Sequence, residues 1–121
     1  MHILVVEDHE FLRVNLIEQL AALGYEAQGV GTGAEALTAV REGGQSLVLL
    51  DLGLPDMRGD DVLRQLQELA QDLPILVCSG ATPRALNTVG GQQSQVRVLN
   101  KPFNLQQLAD TVRSILTGAS S

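Results

Sequence analysis

Five short apolar runs, each followed by a polar-punctuated stretch, constrain this chain more than any other feature. The runs occupy residues 3–6, 27–30, 47–50, 75–78 and 96–99. Three of them, at 3–6, 47–50 and 75–78, are continuously apolar. Such runs predict strands buried on both faces, as in a parallel sheet covered by helices on each side. Between the runs, apolar residues recur at helical spacing. Leu12, Leu16, Leu20 and Leu23 form one predicted stripe, Val62, Leu63, Leu66, Leu69 and Ala70 a second, and Leu105, Leu108, Ala109, Val112, Ile115 and Leu116 a third. The order predicts an α/β fold: a (βα)5 doubly wound parallel five-stranded sheet with right-handed crossovers.

The helix starts carry local signals. Thr32-Gly33-Ala34-Glu35 has capping-box spacing, so a hydroxyl and a carboxylate can satisfy the first orphan amides. Thr82-Pro83 places a cap before a proline at the first helical position, and Asn104 is expected to cap the last helix. Gly90-Gly91 is expected to end the fourth helix early and to leave 85–95 the most mobile segment.

At 121 residues the chain suits one domain, and 45% apolar content is enough for a core. No run reaches the ~18 apolar residues of a membrane span, and the acids at Glu7-Asp8 interrupt the opening apolar stretch, so neither a spanning helix nor a signal peptide is expected. A lone cysteine, Cys78, fits a reducing, cytoplasmic setting and reads as core packing. A net charge of −6 and 2% aromatic residues argue against direct nucleic-acid binding, since phosphates are repelled and bases find no stacking platform. His2 and His9 lack a second histidine at metal-ligand spacing and read as structural or surface residues.

In an open parallel sheet, chemistry gathers beyond the carboxyl ends of the strands. The first apolar run there meets Glu7-Asp8, the third Asp51, the fourth Ser79-Gly80 and the fifth Asn100-Lys101-Pro102. In strand order 2-1-3-4-5 the first and third strands are neighbours, and three carboxylates converge. Lys101, the sole lysine, cannot neutralise all three. A hard divalent ion, Mg2+, resolves the crowding and leaves room for a phosphate oxygen. A carboxylate left beside Lys101 can act as a nucleophile towards phosphorus, with Ser79 donating a hydrogen bond. Singly, each acid is more often a solvated strand end, Ser79 a turn residue and Lys101 a surface charge; their shared edge is what favours chemistry.

These residues resemble the receiver domain of bacterial response regulators, the CheY-like family, over essentially the whole chain. The matching pieces are Glu7-Asp8, Asp51-Leu52-Gly53-Leu54-Pro55-Asp56-Met57-Arg58-Gly59, Ser79-Gly80 and Lys101-Pro102-Phe103. The resemblance implies a receiver domain over 1–117 with 118–121 as a flexible tail or linker stub. It implies that Asp51 accepts a phosphoryl group from a sensor histidine kinase or histidine phosphotransfer protein. Mg2+ would be held by Asp8, Asp51 and the backbone carbonyl of Gly53, with Glu7 acting through water. Ser79 and Lys101 would contact the phosphoryl group, the Lys101-Pro102 bond would be cis, and Gly53 and Ala81 would leave water access for hydrolysis. The family's switch aromatic falls at Val98, which carries no ring to change rotamer, so the surface around the fourth helix and fifth strand is expected either to signal differently or not to be the output face. The implied protein is a monomer or a phosphorylation-dependent dimer that catalyses only its own phosphorylation and dephosphorylation.

Three other readings compete. A pseudo-receiver would serve only as an interaction module. A haloacid-dehalogenase-type phosphohydrolase also uses an aspartate nucleophile, but Asp51-Leu52-Gly53 puts glycine where its second carboxylate is needed. A flavodoxin-like module needs a phosphate-cradling loop where Glu7-Asp8-His9-Glu10 stands.

Overall fold

The computed structural model describes residues 2–51, 59–70, 72–79, 96–100 and 104–117. Its strands are β1 (His2–Val6), β2 (Glu26–Val30), β3 (Leu47–Asp51), β4 (Ile75–Ser79) and β5 (Val96–Asn100). The helices among the described residues are α1 (Glu10–Ala22), α2 (Gly33–Glu42), α3 (Gly59–Leu69) and α4 (Leu105–Leu116). All strand pairs are parallel, in the order β2-β1-β3-β4-β5. The helix expected after Thr82-Pro83, its end at Gly90-Gly91 and the stretch 85–95 lie outside the described residues, as do 118–121.

Strand position follows composition. The three continuously apolar runs became the central strands, where Ile3, Leu4, Val5, Leu47, Val48, Leu50, Ile75, Leu76 and Val77 are fully buried. The runs interrupted by polar residues, Gln28 in one and Arg97 in the other, lie at the edges. Alternation along the strands sorts side chains onto two faces. Leu4, Val6, Val48, Leu50, Ile75 and Val77 pack with α2 and α3 through Ala36, Leu37, Val40, Val62, Leu63 and Leu66. Ile3, Val5, Leu47, Leu49, Leu76 and Cys78 pack with α1 and α4 through Leu20, Leu108 and Val112. The result is a three-layer sandwich; each fully buried Leu or Ile adds roughly 1.5–3 kcal/mol.

The expected stripe of α1 is corrected. Leu20 is buried, but Leu12 is 41% exposed. The line that faces the sheet is Arg13, Leu16, Ile17 and Leu20, one residue out of phase with the prediction at its start. Apolar side chains surround this helix, Phe11 and Val14 being exposed as well, so periodicity alone did not set its phase. On the other helices the outer members of the stripes, Leu69 and Leu105, are also exposed.

The caps form with one change. Thr32 Oγ1 accepts the Glu35 amide at 3.1 Å, as expected. The Glu35 carboxylate, however, accepts the Gly31 amide at 3.1 Å rather than that of the cap residue, and it also takes the Thr32 hydroxyl at 3.2 Å. Asn104 closes a full reciprocal box with Gln107, at 2.8 and 2.9 Å. Gly24, at φ +97°, turns the chain off α1 in a conformation that side chains disfavour. No helix among the described residues is long and apolar enough to cross a membrane.

Candidate functional site

Register builds the site. Val6 of β1 pairs with Leu50 of β3, so the next residues, Glu7 and Asp51, emerge side by side at the carboxyl rim. Asp51 in turn pairs with Cys78 of β4, and Ser79 with Asn100 of β5, so the backbones of Ser79 and Asn100 end at the same rim. The chain then turns from Glu7 through Asp8 and His9 into α1.

Carboxylate oxygens of Glu7, Asp8 and Asp51 all lie within 4.8 Å of one another. Their exposures are graded. Glu7 is 3% exposed, Asp51 is half-buried and Asp8 is open to solvent. Glu7 is fixed from several directions. Its amide donates to the Val30 carbonyl at 3.0 Å, and its carboxylate accepts the His9 amide at 3.1 Å. Its own carbonyl accepts Nη1 of Arg13 at 2.9 Å. No buried side-chain nitrogen or oxygen among the described residues lacks a partner.

Three oxygen donors gathered within 4.8 Å can close on a hard cation: hexacoordinate Mg2+ holds ligands near 2.0–2.1 Å, so opposite oxygens about it stand about 4 Å apart. The exposed side of the cluster, at Asp8, leaves space for water and for a further oxygen ligand. The arrangement can therefore concentrate a divalent ion and present the half-buried Asp51 carboxylate to an incoming electrophile.

Of the residues singled out in the sequence, the structure brings together Glu7, Asp8 and Asp51. Ser79 ends β4 at this rim, and its side chain is outside the described set. Gly53, Gly80, Ala81, Lys101 and Pro102 also lie outside it. His9 occupies the N-cap position of α1 without a side-chain cap, and His2 reaches only Gln28, at 3.4 Å. Cys78 is buried in the core. Val98 pairs with Val77 and packs, partly buried, against the α2/α3 layer. Arg13 was not anticipated; its signal was its place on an inward helical line, opposite the small residues Gly29 and Gly31.

Comparison with known proteins finds counterparts for the sequence and for the fold. The family model described as response regulator receiver domain matches residues 3–113. The response regulator receiver protein CpdR of Brucella abortus is 32% identical, covering 97% of this chain and 98% of its own length. The uncharacterized transcriptional regulatory protein YkoG of Bacillus subtilis is 34% identical over 95% of this chain, which spans 50% of that protein. The sensor kinase CckA of Brucella abortus is 33% identical over 94% of this chain, which spans 12% of it. Among solved structures, chemotaxis protein CheY4 of Vibrio cholerae superposes with a TM-score of 0.82 at 25% identity, covering 95% of this chain and 98% of its own. A CheY-like receiver domain from Methylobacillus flagellatus gives 0.80 at 27% identity, covering 95% and 98%.

Proposed function

The chain belongs to the response regulator receiver family, and from that premise we propose that it is a phosphoacceptor whose acceptor is Asp51. Receiver domains are regulatory signalling domains of two-component systems. The observation that carries the reading is the meeting of Glu7, Asp8 and Asp51 within 4.8 Å at the ends of β1 and β3.

An Asp51 oxygen attacks phosphorus of a phosphohistidine on a sensor kinase or phosphotransfer protein. The new P–O bond forms as the P–N bond breaks, and the imidazole leaves with the electron pair. Mg2+ supplies neutralisation of phosphoryl charge, and the residues that would hold it are Asp8, Asp51, the Gly53 carbonyl and, through water, Glu7. Asp8 keeps the open side of the cluster accessible, and the buried Glu7 keeps its carboxylate fixed against the turn. Ser79, the last residue of β4, and Lys101, the next residue in sequence after β5, are assigned to the phosphoryl oxygens, the first as hydrogen-bond donor and the second as counter-charge. Gly53 and Ala81 are small residue types, so no bulky side chain at these positions is expected to shield the acyl phosphate from water, and the phospho-form is self-limiting. Phosphorylation then favours whichever surface conformation makes the better phosphate contacts. With valine at position 98, a swinging aromatic ring is not the reporter.

The test is intact mass spectrometry after incubation with acetyl phosphate and Mg2+. One added phosphoryl group is expected on the native chain and none on Asp51→Asn. An unlabelled native chain would reassign the protein to a pure interaction module.

A further inference from the structure

Arg13 lies on the sheet-facing line of α1, where a long cation is an uncommon choice. Its side chain is laid across the end of β2. A Cβ built on Gly29 would stand 2.7 Å from Cδ1 of Ile17 and 2.8 and 2.9 Å from Cγ and Cδ of Arg13, and one built on Gly31 would stand 2.9 Å from Nη1. Two glycines thus leave a trough that the arginine fills from stem to head. At the far end Nη1 donates to the Glu7 carbonyl at 2.9 Å. On the opposite side of the turn, the His9 amide donates to the Glu7 carboxylate at 3.1 Å. Asp8 sits between these two anchors and is itself exposed.

We infer that Arg13 is a positioning residue: through the Glu7 carbonyl it holds the Glu7–Asp8 turn in the geometry that gathers the three carboxylates. The inference rests on the Mg2+-binding reading given above. Its direction is distinctive. A guanidinium close to an anionic cluster opposes a divalent cation by charge alone, so removing it on Coulombic grounds tightens Mg2+ binding. As a positioning device its removal does the reverse, because a loosened turn must be ordered again when the ion is bound.

The experiment titrates Mg2+ calorimetrically into the native chain, Arg13→Gln, Arg13→Lys and Gly31→Ala. In parallel, hydrogen exchange of the His9 amide is measured without Mg2+. Arg13→Gln is expected to weaken Mg2+ about 10-fold, the result of losing one charge-assisted hydrogen bond. Gly31→Ala keeps the charge but displaces the guanidinium, and is expected to weaken binding severalfold. Arg13→Lys should recover part of the loss. Exchange at His9 should quicken about 10-fold in Arg13→Gln while Leu4 and Leu50 amides keep native protection, which separates a local loosening from unfolding. Unchanged or tighter binding in Arg13→Gln, with a native chain that binds Mg2+, overturns the positioning role alone. A native chain that binds no Mg2+ overturns the metal reading and this inference together.

Discussion

Replacing Asp51 by asparagine should stabilise the metal-free protein and abolish most of its response to Mg2+. Asp51 faces two carboxylates, Glu7 and Asp8, within 4.8 Å. At that distance and an effective dielectric of about 20, one pair of like charges is unfavourable by about 3.5 kcal/mol. Asp8 is exposed and Asp51 half-buried, so water, salt and the counter-charge assigned to Lys101 reduce the sum of the two terms to a net of about 1–2 kcal/mol. For 121 residues the unfolding entropy is about 0.25 kcal/mol/K, so this corresponds to a melting point higher by roughly 4–8 °C. Asparagine has the shape of aspartate, which leaves packing aside. In EDTA, scanning calorimetry should therefore place Asp51→Asn above the native chain. Adding Mg2+ to 100 times its dissociation constant stabilises the native chain by about 2.7 kcal/mol, roughly 11 °C, and the variant much less, so the order inverts. Equal melting in EDTA, or equal shifts with Mg2+, would refute the crowding argument, because carboxylates that repel one another must respond both to loss of charge and to a counter-ion.

Other consequences follow from packing and from the approach of a donor. Leu66 is fully buried between α3 and the sheet, so Leu66→Ala should lower stability by about 2–5 kcal/mol in urea titration. Thr32→Ala and Asn104→Ala each remove a cap bonded to an N3 amide and should each lower it by about 1 kcal/mol, additively because the caps start different helices. Phe11 is 72% exposed in the first turn of α1, three residues after Asp8. With Asp51 proposed as the phosphoacceptor, a phosphohistidine donor is expected to dock over this turn. Phe11→Ala should slow transfer from a phosphotransfer protein severalfold, leave labelling by acetyl phosphate unchanged, and shift stability by less than about 0.5 kcal/mol.

The rim of the sheet was legible in the sequence, and Arg13 was not, for reasons that lie in how each is specified. A strand end is a property of the chain alone. The apolar run stops, the polar residue that follows sits at the carboxyl edge, and parallel pairing then aligns one edge with the next, as Val6 with Leu50 brings Glu7 to Asp51. Every observed strand began within one residue of its apolar run and extended at most one residue beyond it. Helix phase is different, because it depends on what the helix is laid against. In α1 apolar residues occur on all sides, and two phases compete, one centred on Leu12 and one on Arg13. β2 favours the second, since Gly29 and Gly31 leave room for Ile17 and the long Arg13 side chain, and the Glu7 carbonyl accepts its guanidinium. The Glu35 carboxylate tells the same story at smaller scale: its spacing to Thr32 was readable, but the amide it accepts belongs to Gly31, whose approach the chain pattern does not encode. Residues that meet through strand register can thus be found from a single sequence. Side chains that act on a distant carbonyl or amide become visible only once the glycines that admit them are set beside the helix that carries them.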